Sequence, residues 1–90
     1  MPSVGVQTEL EARVFQEIAA VLDLLVHDLT PAADLRVNYG IGDHDRQQLR
    51  VALDKAFGIF VPLPHAAQWA TVGDITRYVE TRLAASRAEG

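Results

Sequence analysis

The chain has 90 residues, a formal net charge of −4, a hydrophobic content of 49% and no cysteine. Its length suits one domain, the lack of cysteine excludes disulfides and thiolate chemistry, and the acidic balance argues against nucleic acid, whose phosphates need a basic surface. We expect a soluble cytoplasmic protein without membrane insertion, because no run approaches the ~20 apolar residues that span a bilayer and the first residues do not resemble a signal peptide.

An amphipathic first helix is predicted over roughly residues 9–25. Thr8 and Glu11 have the spacing of a capping box, in which Thr8 is the N-cap. Apolar residues then recur at helical spacing and form one stripe, which Phe15 widens. The stripe consists of Leu10, Val14, Ile18, Val21, Leu22 and Leu25.

A long loop is predicted over residues 26–42. Thr30-Pro31 favours a turn, and Gly40 and Gly42 mark the end of the loop. A structureless loop of this length is uncommon in a compact domain. We therefore expect apolar side chains to pin it to the core, namely Leu29, Leu35, Val37, Tyr39 and Ile41.

A second helix is predicted over roughly residues 43–57. Asp43 and Asp45 lie in its first turn, where the helix dipole favours negative charge, and Gly58 ends it. Its buried stripe consists of Leu49, Ala52, Leu53, Ala56 and Phe57.

Two further helices are predicted in the last third of the chain. The apolar run Ile59-Phe60-Val61 is interpreted as a connection rather than a strand, because it has no partner strand, and it leads to a short helix near residues 65–69. Thr71 and Asp74 form a capping box for the last helix. The inner face of that helix consists of Val72, Ile75, Val79 and Leu83.

The fold class is therefore all-α, a bundle of three longer helices and one short helix with a long loop between the first two. The whole chain, residues 1–90, is expected to be a single domain whose core covers about residues 8–84. Its two ends, including the tail 84–90, are expected to be disordered.

Three segments carry a resemblance to a known family. Thr30–Gly40, Ala52–Pro62 and the tetrad Thr71-Val72-Gly73-Asp74 resemble the loop, the end of the second helix and the start of the fourth helix of acyl carrier proteins. The segments keep the family's spacing without a gap from Thr30 to Glu80. The resemblance implies a four-helix carrier fold.

The sequence departs from the family at the attachment point. The family has Asp-Ser-Leu at the start of its second helix, where the serine accepts the 4'-phosphopantetheine arm. This chain has Gly42-Asp43-His44 there, so Asp43 occupies the serine position. A carboxylate cannot form the phosphodiester link, and the two serines lie near the chain ends. The resemblance therefore implies that the cofactor is absent.

The resemblance also implies a docking role. The family's second helix is acidic and binds basic partners. Here the net charge of residues 43–57 is zero, because three aspartates balance Arg46, Arg50 and Lys55. We expect the stem of Arg50 to pack while its head reaches water. The expected partner is an enzyme of fatty-acid, polyketide, peptide or aminoacyl-carrier metabolism, bound by a monomer through Tyr39, Ile41, Asp43, His44, Gln47, Arg50 and Val51.

Several alternatives remain open. Asp43 is either a favourable charge or cap at a helix N-terminus, or an imitation of the phosphate of a loaded carrier. The chain as a whole is either the docking module, a working carrier modified at another residue, or a relic or regulator that keeps only the fold.

Metal and catalytic sites are not expected. The side chains of Asp43-His44-Asp45 would point about 100° apart on a helix, and His27 and His65 complete no standard ligand spacing. No Ser/His/Asp or Cys/His set is apparent, which predicts a non-enzymatic protein. Trp69 is interpreted as core together with Phe57, Phe60 and Tyr78, although a free lipid in that region remains possible.

Overall fold

A computed structural model of the chain describes the backbone of residues 3–89 and the side chains of residues 9–85. Its α-helices are α1 (Ser3–Leu22), α2 (Leu35–Tyr39), α3 (Asp43–Phe57), α4 (Leu63–Ala67) and α5 (Val72–Glu89), with a 3-10 turn at Val26–Asp28. Every regular element in residues 3–89 is helical, which confirms the all-α prediction. None of these helices is long and apolar enough to cross a membrane.

The first helix differs from its prediction at both ends. It begins at Ser3, so the prediction of Thr8 as N-cap is wrong, and the Thr8 side chain lies outside the described residues. The helix ends at Leu22 because Asp23 has a φ of 59°, the left-handed conformation that stops a helix. Leu25 lies beyond this stop and is 60% exposed, so its predicted place in the buried stripe is also wrong.

The predicted loop contains a short helix that was not predicted. The Asp34 carboxylate begins α2 by accepting hydrogen bonds from the backbone N–H groups of Arg36 (2.9 Å) and Val37 (2.8 Å). Gly40 ends the helix in the left-handed region, at a φ of 65°. Five residues are too few to show a helical hydrophobic period, so the sequence pattern did not reveal α2.

The loop is pinned to the core as predicted, with one exception. Leu29, Leu35 and Ile41 are buried, and Tyr39 packs against the core from a half-buried position. Val37 is 79% exposed, so its predicted role as an anchor is wrong.

Backbone hydrogen bonds fasten the loop to the start of α5. The N–H of Leu35 donates to the carbonyl of Ala70 (2.9 Å), and the N–H of Gly73 donates to the carbonyl of Pro31 (2.8 Å). A Cβ atom at Gly73 would lie 3.0 Å from the Pro31 oxygen. A glycine at this position therefore permits the close approach of the loop to α5.

The second and third predicted helices are present with small differences. α3 covers the predicted residues and ends at Gly58, which has a φ of 64°. α4 begins at Leu63 instead of near 65, since Pro62 is its N-cap and Pro64 is compatible with a first helical turn. Phe60 is 64% exposed, so the prediction that it belongs to the core is wrong.

The last helix begins with the predicted capping box. The Thr71 Oγ1 accepts a hydrogen bond from the N–H of Asp74 (3.2 Å), and the Asp74 carboxylate accepts from the N–H groups of Thr71 (3.1 Å) and Ala70 (3.0 Å). The Ala70 bond, assisted by Thr71 and the paired Arg77, lowers the pKa of Asp74 below its usual range. The inner face includes the buried residues Val72, Ile75 and Val79.

The core lies where α1, α3 and α5 meet, with α4 packed on α3. Its largest fully buried side chains are Ile18, Leu35, Leu49, Leu53 and Ile75. α5 continues to Glu89, past the predicted end of the core. The extent of the domain stays a prediction, and the predicted disorder at Met1, Pro2 and Gly90 concerns residues outside the described part of the chain.

Candidate functional site

The head of α3 presents an exposed carboxylate. Gly42 is the N-cap, and its N–H donates to the Asp45 carboxylate (3.3 Å). Asp43, the first residue of α3, is exposed and accepts no hydrogen bond from the described residues. The reciprocal capping contact therefore belongs to Asp45, and the carboxylate of Asp43 is free to meet a partner.

The head of α3 has no free hydroxyl group to which an arm could be attached, as judged from the described residues. Residues 40–49 contain no serine or threonine. The phenol of Tyr39, which precedes them, donates its hydrogen bond to the carbonyl of Asp28 (3.0 Å). The Thr71 hydroxyl is in use as the cap of α5.

Two arginines of α3 donate hydrogen bonds to backbone carbonyls in α4 and in the segments on either side of it. The Nη1 of Arg46 donates to the carbonyls of Ala66 (3.1 Å) and Trp69 (2.5 Å), where a cation suits the carboxyl end of a helix. The Nη1 of Arg50 donates to the carbonyl of Val61 (3.3 Å), while its buried Nε has no partner among the described residues. The head of the part-buried Arg50 therefore bonds to the backbone, a contact that was not predicted.

The charges of α3 sum to zero, but these contacts separate them in space. Arg46 and Arg50 direct their guanidinium groups toward the α4 side, where carbonyl oxygens surround them. Asp43 and Lys55 are exposed elsewhere on the helix. The charges of α3 are therefore distributed unevenly over its two flanks.

The other flank of α3, which faces α1, carries an open groove of about 780 Å³. The wall from α1 is short, and the wall from α3 consists of two rows of residues at i, i+4 spacing. Together the walls comprise Glu17 and Val21 from α1, and His44, Gln47, Gln48, Val51, Ala52, Lys55 and Ala56 from α3.

The predicted docking residues divide into two groups. Ile41 is 4% exposed, which corrects its place in the set because its side chain belongs to the core. Tyr39 is half-buried, and its hydroxyl donates to the Asp28 carbonyl. The Arg50 guanidinium is directed toward the α4 side, where it donates to the Val61 carbonyl. The remaining four are exposed at the head of α3 and along its α1 flank: Asp43, His44, Gln47 and Val51.

Sequence reasoning missed the residues that complete the groove. Val21 was assigned only to the apolar stripe of the first helix, Lys55 only to a charge count, and Glu17 to no site. The i, i+4 rows of α3 were readable from the sequence, but the apposition of α1 depends on tertiary packing. The Arg13 guanidinium donates to the Ala56 carbonyl (3.3 Å), which is one of the contacts that hold α1 beside α3.

Comparison with known protein families shows that residues 12–79 match the family described as "Phosphopantetheine attachment site". The chain belongs to this family. It is 31% identical over 71 residues to the acyl carrier protein of Helicobacter pylori strain G27, an alignment that covers 74% of this chain and 91% of that protein. The same figures apply to the acyl carrier protein of strain ATCC 700392 / 26695. The predicted resemblance to acyl carrier proteins is thereby confirmed.

An aromatic cluster of this family member lies between α4 and α5. Trp69 is 4% exposed, which confirms it as core, and its ring meets the half-buried Tyr78 edge-on at 5.7 Å. The Tyr78 hydroxyl is 2.9 Å from Nδ1 of His65. Within the described residues, no three His, Asp or Glu side chains are grouped so that they would hold a metal ion.

Proposed function

We propose that this member of the phosphopantetheine attachment site family docks on an enzyme of carrier metabolism without bearing an arm. The observation that carries the proposal is the free, exposed carboxylate of Asp43 at the position that the resemblance to acyl carrier proteins assigns to the attachment serine. A carboxylate has no alcohol oxygen to phosphorylate. The protein is then a non-enzymatic interaction module with no 4'-phosphopantetheine cofactor.

The surroundings of Asp43 support this proposal. Asp45 makes the capping contact with Gly42, so α3 does not need Asp43 as its cap. A negative charge in the first helical turn is worth about 0.3–1 kcal/mol through the helix dipole. We infer that Asp43 also presents this charge to the partner, at the place where a loaded carrier presents its phosphate.

The proposed docking face comprises Asp43, His44, Gln47 and Val51, the exposed members of the predicted set. It combines an anion, two polar side chains and one exposed aliphatic side chain, a mixture typical of interfaces with a small apolar centre. The partner is an enzyme of fatty-acid, polyketide, peptide or aminoacyl-carrier metabolism. A monomer is sufficient for this role.

Affinity capture from the source cell tests the docking role. The wild-type chain is expected to enrich an enzyme of carrier metabolism, and His44→Glu combined with Val51→Glu is expected to abolish the enrichment. Ala67→Glu, which places the same charge at an exposed position on α4, is the control and should leave capture unchanged. Recovery of no carrier-pathway enzyme would contradict docking and favour a relic or a regulator.

A second candidate function is a working carrier modified at another residue. The family match favours it, because the family is described by the attachment site itself. The structure offers such a carrier no serine or threonine in residues 40–49. Recovery of the chain from its cells with a phosphopantetheine arm at any residue would replace the leading proposal with this one.

A further inference from the structure

We propose that the groove between α1 and α3 binds one amphipathic helix of the partner protein, with a basic end and an acidic end. The inference rests on the proposed docking function and specifies its partner. It concerns the α1 flank of α3, which shares His44, Gln47 and Val51 with the proposed docking face.

The shape of the groove fits a helix. The α3 rows extend from His44 to Ala56, which is about 18 Å along the axis, or about three turns of a second helix. Ala52 and Ala56 follow each other at i, i+4 spacing, and their small side chains allow a close approach between two helices. Val21 and Val51 supply larger apolar contacts on the two walls. Apolar residues of the partner at helical spacing would cover these four side chains.

The charges of the groove are polarised along its length. Asp43 is not one of the lining residues, but it lies one turn before the lining residue Gln47 and places an exposed carboxylate, unpaired among the described side chains, beside that end of the groove. At the other end lie Lys55, which lines the groove, and the exposed Arg13, which does not line it but donates to the carbonyl of the lining residue Ala56 (3.3 Å). Glu17, on the α1 wall one turn from Arg13, offsets one of these two positive charges, so this end keeps a net positive charge. A complementary helix is therefore basic beside Asp43 and acidic beside Lys55.

The opposite flank of α3 is unsuited to the same ligand. Arg46 and Arg50 span from α3 to carbonyls at Val61, Ala66 and Trp69. A helix inserted there would have to break these charge-assisted hydrogen bonds. Among the residues whose side chains are described, the one side-chain bond between α1 and α3 is that of Arg13, which lies at the far end of the groove. The α1 flank is therefore the flank that is open to a partner.

Three synthetic helical peptides with the same apolar face test the inference. One carries Lys at one end and Glu at the other, one carries only Lys, and one carries only Glu. Each is titrated into the ¹⁵N-labelled chain up to about 1 mM, the weak limit of useful affinity. The bipolar peptide is expected to bind most tightly and to shift the amide signals of Val21, Gln48, Val51 and Ala52, but not those of α4.

Variants of the chain separate the apolar and charged contributions. Val51→Asp is expected to weaken the bipolar peptide by at least about tenfold, because it places a charge in the centre of the contact. Lys55→Glu is expected to weaken the bipolar peptide about two- to fivefold, the scale of an exposed ion pair, and to favour the all-Lys peptide. Phe60→Ser, an exposed change outside the groove, is the control and should alter neither affinity.

Three results with the peptides would overturn the inference: no shift at the highest concentration, shifts centred on α4, or equal affinity for all three peptides. Concentration-dependent shifts in the groove without peptide would assign it to a second copy of this chain, and would overturn it too. Capture of a carrier enzyme is measured separately. Failure of the peptides with intact capture would therefore reject the groove and keep the docking function.

Discussion

The two flanks of α3 show opposite uses of the same helix. Toward α4, Arg46 donates to the carbonyls of Ala66 in α4 and Trp69 after it, and Arg50 donates to the carbonyl of Val61 before it. Toward α1, small and polar side chains line an open groove. The net charge of α3 is zero, but this number does not describe the surface that a partner would meet. Arginines that bind backbone carbonyls stabilise the fold instead of contributing their charge to a docking surface.

The largest effect is expected from removing the Arg46 contacts. Arg46→Met leaves the carbonyls of Ala66 and Trp69 without their charged donor, which we expect to lower the free energy of unfolding by about 2–3 kcal/mol. Urea denaturation followed by the fluorescence of Trp69, the single tryptophan, measures this change.

Lys55→Met on the α1 flank is the control and should stay within about 0.5 kcal/mol of the wild type, as is usual for surface positions. Equal losses for the two variants would show that the flanks do not differ in structural importance.

The second largest effect is expected at Asp74, which binds the same stretch of backbone as Arg46. Asp74 binds the N–H of Ala70, next to the Trp69 carbonyl that Arg46 holds. Asp74→Asn is expected to cost about 0.5–2 kcal/mol, the usual range for a lost helix cap.

The pH dependence of this effect has a defined sign. Because the folded-state pKa of Asp74 is lowered, its stabilisation is present at neutral pH and is lost as the pH falls through the unfolded-state value of about 3.9 and then through the folded-state pKa. Unfolding curves between neutral and acidic pH should show the wild type losing its advantage over Asp74→Asn. An advantage that stays constant down to acid pH would contradict the role of the carboxylate.

Val51→Asp tests whether the α1 flank can be changed without harming the fold. We expect a change in the free energy of unfolding within about 0.5 kcal/mol, because the side chain is exposed, together with loss of partner capture. Thermal unfolding and capture on the same preparation measure both quantities. A large loss of stability would make Val51 part of the fold and would weaken the contrast between the flanks.

A small effect is also expected at Arg50. Its one hydrogen bond, to Val61, is 3.3 Å long, and its buried Nε has no partner among the described residues. Arg50→Met gives up that bond but removes the unpaired donor, so we expect a change below about 1 kcal/mol. A loss as large as that of Arg46→Met would show that both arginines hold α4.

The sequence predicted the parts of the fold that local patterns determine. α3 has the predicted bounds because its period and Gly58 both indicate them, and the cap of α5 follows from the spacing of Thr71 and Asp74. The short helix α2 was not predicted, because five residues are too few to show a hydrophobic period of 3.6 residues. Exposed Phe60 was misplaced because hydrophobicity alone does not tell which side of a connection faces the core.

The candidate site was predicted in part for similar reasons. Asp43, His44, Gln47 and Val51 are exposed, as a helical wheel suggests. The directions of Arg46 and Arg50 depend on carbonyls that are distant in sequence, and the groove depends on how α1 packs. Long side chains and helix packing are set by tertiary structure, which no local pattern contains.

Whether the chain can bear an arm is decided by its intact mass after co-expression with a phosphopantetheinyl transferase. Asp43→Ser, which restores a hydroxyl at the head of α3, is examined beside it as the matched variant. We predict that the wild-type mass equals that of the bare polypeptide, whatever the mass of the variant. A wild-type chain heavier by one phosphopantetheine group would contradict the proposed function.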